Sequence, residues 1–539
     1  TPTRGLALVA VGGYGRAELS PASDLDVVLV HDPALGEDRV RQVAEAIWYP
    51  LWDRGVDLDH SVRDSRQMRE AALSDYRAAT GMLDARHVAG DSSMVLTLRS
   101  EVLSDWRRDA RARLPELRDA CNQRIDRFGW LAHSAVPDLK ESGGGLRDGV
   151  VMRALVATWL VDVPHAEAEE LRTALLDVRD ALHITAGRRT EKFEPEHIVD
   201  AAALLGCDPE ELEFETRKIG QRVAHLAALT WRRLDSTLAS RTASVPTRPV
   251  VQPIGEGVGR LGDEIVVMSS ADPMADPEVA LVAAAAAARA RLDFESSSAS
   301  HLAKTMGDLP EPWPVTAQRA LVDLLTAGPG LATVWDELDY AGVVDHWLPE
   351  WRDIRLRGSS SPVHRFTIDR HTIETCVNAA AIARTVARPD LLAVGALLHD
   401  IGKGREGDHS VVGEAMAVDI ATRWGFDSGD AETIGRLVRH HLTLPTMATR
   451  RDIEDPSTAA NLADLVQTEE FLDLLYALTE ADATATGPTA WSAWRRGLIE
   501  GLVEKTRQVL AGVSVESVYE GWPASMPVPG VDGLDADGV

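Results

Sequence analysis

Cysteine and lysine are both scarce in this 539-residue chain, which carries three cysteines (Cys121, Cys207 and Cys376) and six lysines among its 56 basic residues. The cysteines lie far apart with no C-x-x-C spacing, which excludes a disulfide framework or a thiolate zinc site and fits a reducing cytoplasm. We read all three as small buried hydrophobes. Positive charge is short overall: the net charge is −28 and the isoelectric point is near 5.0. A nonspecific grip on phosphate backbones is therefore not the main business of the chain, and nucleic acid is disfavoured as a substrate. No apolar run is long enough to span a bilayer. The best one, VALVAAAAAARARL near residue 285, is alanine-rich and broken by arginines, and reads as a helix in a bundle. No basic patch followed by an apolar core opens the chain, so no signal peptide is read, the expected location is cytoplasmic, and no membrane partner is expected. The length suits two to four domains with ample buried cores.

What is present begins with acids on a strand. LALVAV (Leu6 to Val11) is an apolar run of strand length that stops at the pair Gly12-Gly13, so a strand feeds a tight turn. Asp24 and Asp26 then sit two apart in SDLDVVLV, which puts both carboxylates on one face and Leu25 and Val27 on the other. Paired hard oxygen ligands beside a glycine turn suit one or two Mg²⁺ ions carrying a nucleoside triphosphate; the plainer alternative is two solvated acids at a strand end. GVDLDHSVRD (Gly55 to Asp64) offers two further acids on one face, Asp57 and Asp59. Between these stretches, apolar residues recur at helical spacing from Arg39 to Trp52, which predicts strand, turn, strand, helix, strand. Residues 66 to 90 read as helix followed by an HVAGD turn, and the chain to about residue 240 is helical in pattern. Within it, DLKESGGGLRD (Asp138 to Asp148) places three glycines ahead of a helix, where free amides could cradle an anion or the loop could be an ordinary one.

The Gly pair followed by D-x-D resembles the signature of the nucleotidyltransferase superfamily, and the longer string GGYGRAELSPASDLD is similar to one branch, the bacterial PII uridylyltransferase/uridylyl-removing enzymes. The resemblance implies nucleotide-binding roles for Gly12, Gly13, Arg16 and Ser23, and Mg²⁺ on Asp24 and Asp26. It implies a third carboxylate, favouring Asp57 because the family places an acid ahead of an H-S-V-R string, with Asp59 as the alternative. DLKESGGGLRD and ALHITAGR (Ala181 to Arg188) are also similar to family strings, with Ser142 in place of a glycine; the resemblance supplies no role for them, and Lys140, Arg147 and Asp148 are candidate nucleotide or inter-domain contacts.

From Ser236 to Gly262 the chain is rich in Ser, Thr, Pro and Gly and reads as a linker or an irregular β excursion, after which residues 275 to 350 return to helix. A second set of chemical residues follows: His371 in RHT, His399 and Asp400 in LLHDIGKG, His409 in GDHS, His440 and His441 in RHH, and Asp482 in TEADATATG. Together they resemble the HD phosphohydrolase superfamily. Neutral imidazoles with carboxylates hold Mg²⁺, Mn²⁺ or another transition metal and lower the pKa of a bound water. We assign His371, His399, Asp400 and Asp482 to the first ion. His409 and one of His440 or His441 serve a second ion or a phosphate, since adjacent helix positions point about 100° apart. Lys403 is placed on the substrate phosphate.

The expected fold is α+β: a small mixed-sheet nucleotidyltransferase domain (1–95), a helical domain (96–240), a linker and helical region (241–355), an all-α HD domain (356–510) and a disordered acidic tail (511–539). The family implies a bifunctional enzyme that transfers a nucleotide from UTP or ATP to a tyrosine of the PII protein and hydrolyses it off again, with His399 and Asp400 at the second centre. Glutamine control would come through ACT domains that do not follow here, and the chain is read as a fragment. The alternatives are an RNA or tRNA nucleotidyltransferase carrying an HD domain and a non-catalytic nitrogen sensor.

Overall fold

A computed structural model of the chain describes residues 4–242, 250–359, 364–514 and 517–518, and these fall into two compact units, residues 1–247 and 248–539. The first unit opens with a four-stranded sheet in the order β3-β2-β1-β4, formed by β1 (Leu6–Ala10), β2 (Leu25–His31), β3 (Leu58–Asp64) and β4 (Arg86–Gly90). β1 runs antiparallel to β2 and β4, and β2 runs parallel to β3. β2 is central and covered on both faces, which explains its unbroken apolar run Val27 to Val30. One face packs Val27 and Leu29 against Ala44 and Trp48 of the helix Glu37–Trp52. The other packs Val28 and Val30 against Met68, Ala79 and Val95, contributed by three later helices.

The expected HVAGD turn is instead the edge strand β4, paired with β1. Its local pattern carries no strand alternation, and the unpaired edge of β1 decides its conformation. The stretch read as a linker from Ser236 is also different in detail. The helix Pro209–Thr242 runs into it, residues 243–249 lie outside the described residues, and an antiparallel meander follows.

The remainder of the first unit is helical, around a core of Leu131, Leu139, Leu182, Phe193 and Leu226. The glycine-rich loop is built into this core and does not cradle an anion. Gly143 N–H donates to Gly129 O at 2.8 Å, Gly145 to Ser142 O at 2.9 Å, and Leu146 to Leu139 O at 2.9 Å. Gly144 N–H donates to Asp148 Oδ2 at 2.7 Å, and Asp148 is buried and paired with Arg124. The amides that would face a phosphate are spent inside the loop. Gly144 has φ +85°, and a Cβ there would lie 2.2 Å from Gly220 O, a backbone atom that cannot step aside. Gly144→Ala is expected to cost about 2–4 kcal/mol, combining left-handed strain with overpacking. A urea denaturation midpoint unchanged from that of the parent chain would contradict this account.

The second unit starts with β5 (Gln252–Gly255), β6 (Val258–Leu261) and β7 (Glu264–Val267), joined by the two-residue β8 (Asp293–Phe294). The alanine-rich helix Glu278–Ala290 is buried along most of its length, and its small side chains permit close approach of the helices Val315–Leu325 and Gly330–Ala341. One core runs from Val258 to Val503 and includes Trp335, Trp347, Trp351 and Trp424. No helix among the described residues is long and apolar enough to cross a membrane. Nearly all of the acidic tail lies outside the described residues.

Candidate active and metal-binding sites

In the first unit, Asp26 is the second residue of β2 and Asp24 lies just before the strand. The parallel register pairs Asp26 with Asp59, so these two carboxylates share a face of the sheet, whereas Asp57 lies before β3 and its carbonyl accepts Leu25 N–H at 3.0 Å. Burial, then the carboxylates of Asp24 and Asp59, push Asp26 above the usual carboxylate range, against the pull of Lys140 and Arg16. Three acids crowding one another is a donor set suited to a hard divalent cation. The turn leaves room for it: Gly12 has φ +56°, and a Cβ there would sit 2.6 Å from Asp26 Oδ2. Any side chain at that position would fill the space beside the carboxylate.

Several residues named from the sequence are already engaged. Arg16 Nε donates to Glu18 Oε2 at 2.6 Å, and Ser23 Oγ accepts Ser20 N–H at 3.1 Å, closing the loop that carries the acids. Arg147 pairs with Glu141 at 2.7 Å. Lys140 is half-buried and lies within electrostatic reach of Asp26. Arg189, one residue beyond ALHITAGR, carries no local signal of a role, because its partner lies 165 positions away in the sequence. Its Nη1 donates to Asp24 Oδ2 at 2.8 Å.

In the second unit, four helix ends or starts converge. His371 lies in the first turn of Ile368–Ile382, His399 and Asp400 just follow Pro389–Leu398, His409 begins His409–Arg423, and His441 just follows Ser428–His440. Asp482, in Glu469–Thr486, completes the group. His371 Nε2 lies 3.0 Å from Asp482 Oδ1 and 3.3 Å from His399 Nε2. Asp400 stands between two triads: its Oδ2 is 3.4 Å from His399 Nε2, and its Oδ1 is 3.8 Å from His409 Nε2 and 3.7 Å from His441 Nε2. Hence His371, His399 and Asp482 can hold one cation and Asp400, His409 and His441 another.

The tautomers favour this. Nδ1 of His399 donates to Ala396 O at 2.8 Å and Nδ1 of His441 to Val438 O at 2.7 Å, which aims each Nε2 inward. Burial holds His441 neutral, with its pKa brought down to about 4. For His399 burial works the same way, but the combined attraction of Asp400 and Asp482 wins and raises it. Asp400 is held well below the usual range against its burial by His399 and Lys403, whose Nζ donates to Asp400 Oδ2 at 2.6 Å. Asp400 Oδ1 and His409 Nε2 are buried with no hydrogen-bond partner. Orphaned acceptors are costly in a dry site, and a divalent ion would satisfy them.

His440 stays out of this cage and meets Thr443 Oγ1 at 3.4 Å through Nδ1. His364, by contrast, packs its ring 5.2 Å from that of His371. It lies in a loop, where no helical spacing could point to it.

Residues 368–486 match the HD domain family model. The chain is similar along nearly its whole length to curated proteins named bifunctional uridylyltransferase/uridylyl-removing enzyme. The protein of that name from Streptomyces coelicolor is 47% identical over 521 residues, covering 94% of this chain and 62% of its own length. The one from Mycobacterium tuberculosis is 42% identical over 524 residues, with 95% and 64% covered. The one from Corynebacterium glutamicum is 34% identical over 517 residues, with 94% and 73% covered. The chain thus spans somewhat under two thirds of the length of the first two.

Proposed function

Since this chain belongs to the family of bifunctional uridylyltransferase/uridylyl-removing enzymes, we propose that its first unit attaches a nucleoside monophosphate to a tyrosine of the PII protein and its second unit removes it. In attachment, the tyrosine oxygen attacks the α-phosphate of UTP or ATP, the bond to the β-phosphate breaks, and pyrophosphate leaves. Asp24 and Asp26 would hold Mg²⁺, which when bound neutralises the triphosphate and the charge that develops on it. For the third carboxylate we take Asp59 over Asp57, supported by its register with Asp26. It accepts the tyrosine proton. Gly12 keeps the approach to Asp26 open.

In removal, water attacks the phosphodiester, the bond from phosphorus to the tyrosine oxygen breaks, and UMP or AMP leaves. A divalent ion in the His-Asp cage would supply an acidified water and offset the phosphate charge. His371, His399 and Asp482 would hold one ion, and Asp400, His409 and His441 a second. The backbone bonds from His399 and His441 keep both imidazoles oriented. Lys403 steadies Asp400 and stands at the cage for a phosphate oxygen. The observation that carries this reading is the pair of ligand triads in the second unit, together with the electrostatically coupled acids Asp24, Asp26 and Asp59 in the first. A cytoplasmic setting is part of the reading, supported by three unbonded cysteines.

Incubating the chain with a PII protein and either UTP or ATP, then weighing the PII, tests it: a gain of one nucleotide mass is expected, reversed when nucleotide is withdrawn. An unmodified PII with both nucleotides would end the proposal. Chelation supplies a separate check on the cage. Removing divalent ions is expected to lower the melting temperature of the second unit by about 5 °C, the effect of losing a ligand present at roughly a hundred times its dissociation constant. Asp482→Asn should blunt that shift, and a chelator-insensitive parent chain would argue against a metal cage.

A further inference from the structure

The ALHITAGR string found in the sequence has no part in the chemistry above, yet its surroundings reach the acids of the first unit. His183 is buried, and its Nδ1 accepts Ala22 N–H at 3.4 Å, latching the loop that carries Asp24. Six residues on, Arg189 forms its ion pair with Asp24. The segment after it is tied to the glycine-rich loop: Leu139 N–H donates to Glu191 O at 2.7 Å, and Asp138 bridges to Lys192. Glu191 is itself fixed by Arg179, whose Nε donates to it at 2.8 Å. Two loops from distant parts of the chain are thereby clasped, and the clasp brings Lys140 and Arg189 within electrostatic reach of each other beside the acids.

Two cations held together repel; Glu191 and Glu141 attract Lys140, but none of the ion pairs among the described residues includes it. Arg189 meanwhile occupies Asp24, a position that a divalent ion needs. From this clasp we infer that Arg189 and Lys140 form the clamp for the triphosphate, and that Arg189 stands in for the cation on Asp24 until the nucleotide arrives. When metal and triphosphate enter together, the guanidinium leaves Asp24 and takes phosphate oxygens, for which its planar fork is suited. Lys140 adds a point charge from the other loop. No covalent step is involved. This inference rests on the transferase reading of the first unit for its choice of ligand.

The test separates two affinities that a structural role would move together. In an Asp400→Asn background, which weakens the second cage, Mn²⁺ binding without nucleotide is followed by electron paramagnetic resonance, and inorganic tripolyphosphate binding by calorimetry. Arg189→Ala is expected to tighten Mn²⁺ about fivefold, because a competing exposed cation is gone, and to weaken tripolyphosphate about tenfold. Lys140→Ala should weaken tripolyphosphate by a similar factor, and Arg189→Lys should fall between parent and alanine in both measurements. If Arg189→Ala weakens both ligands, or changes neither, the clamp is wrong. Should the affinities move as expected while the parent chain releases no pyrophosphate from UTP or ATP with PII present, the clamp stands and the transferase reading fails. Should pyrophosphate be released while the affinities stay put, the reverse holds.

Discussion

Asp24→Asn is expected to cut nucleotide attachment at least about a thousandfold while removal stays within about twofold of the parent chain, because one unit loses a charged oxygen ligand and the other is untouched. The side chain keeps its shape and remains partly exposed at the mouth of β2, so the fold loses only the ion pair with Arg189. Such a pair contributes about 1 kcal/mol at most. Pyrophosphate release with PII and nucleotide measures the first activity, and loss of nucleotide from modified PII measures the second. A well-folded variant in which both fell silent would sink the two-site account. So would one that retained full attachment.

Asp400→Asn is expected to do the opposite, abolishing removal by a comparable factor and leaving attachment alone. Asp400 Oδ2 is engaged by Lys403 and faces His399, while its unpartnered Oδ1 faces His409 and His441. Neutralising it removes the one group between the triads. Because Asp400 is buried and paired with Lys403, the change also leaves that partly exposed ammonium without its counter-charge, which costs some stability. Circular dichroism of the variant therefore accompanies the assay. His441→Gln provides a second route to the same result: its ring is neutral and makes no ion pair that the fold needs, yet removal should still fall. Removal surviving both substitutions would show that the chemistry lies elsewhere.

Much of both sites was legible in the chain because their residues announce themselves locally. A period of two puts Asp24 and Asp26 on one side, and the register of β2 agrees for Asp26, whose neighbours Val28 and Val30 share its face. His399 and Asp400 follow an apolar helix, and the spacing to His371 and Asp482 was readable without coordinates. The choice between His440 and His441 was not. Adjacent positions differ only in which way the helix end turns, and that is set by packing: Val438 and Ile434 are buried, which directs His441 inward and His440 towards Thr443. The choice between Asp57 and Asp59 was hidden for a related reason, since both lie on one face and only pairing with β2 shows which stands beside Asp26.

The glycine run shows where local reasoning misleads. Three glycines before a helix look like an anion cradle, but Asp148 folds back onto Gly144 N–H and Gly220 closes over the loop from the helix Pro209–Thr242. Neither contact leaves a trace in the spacing. Residue order by itself determined which candidate ligands exist and on what kind of element each sits, because apolar periodicity and turn chemistry act over a few residues. Tertiary structure alone decided which acid stands in register with Asp26, which histidine faces Asp400, and that Arg189 reaches Asp24 across 165 positions of sequence. Those outcomes depend on strand register and helix packing, which are fixed by buried contacts between segments far apart in the chain.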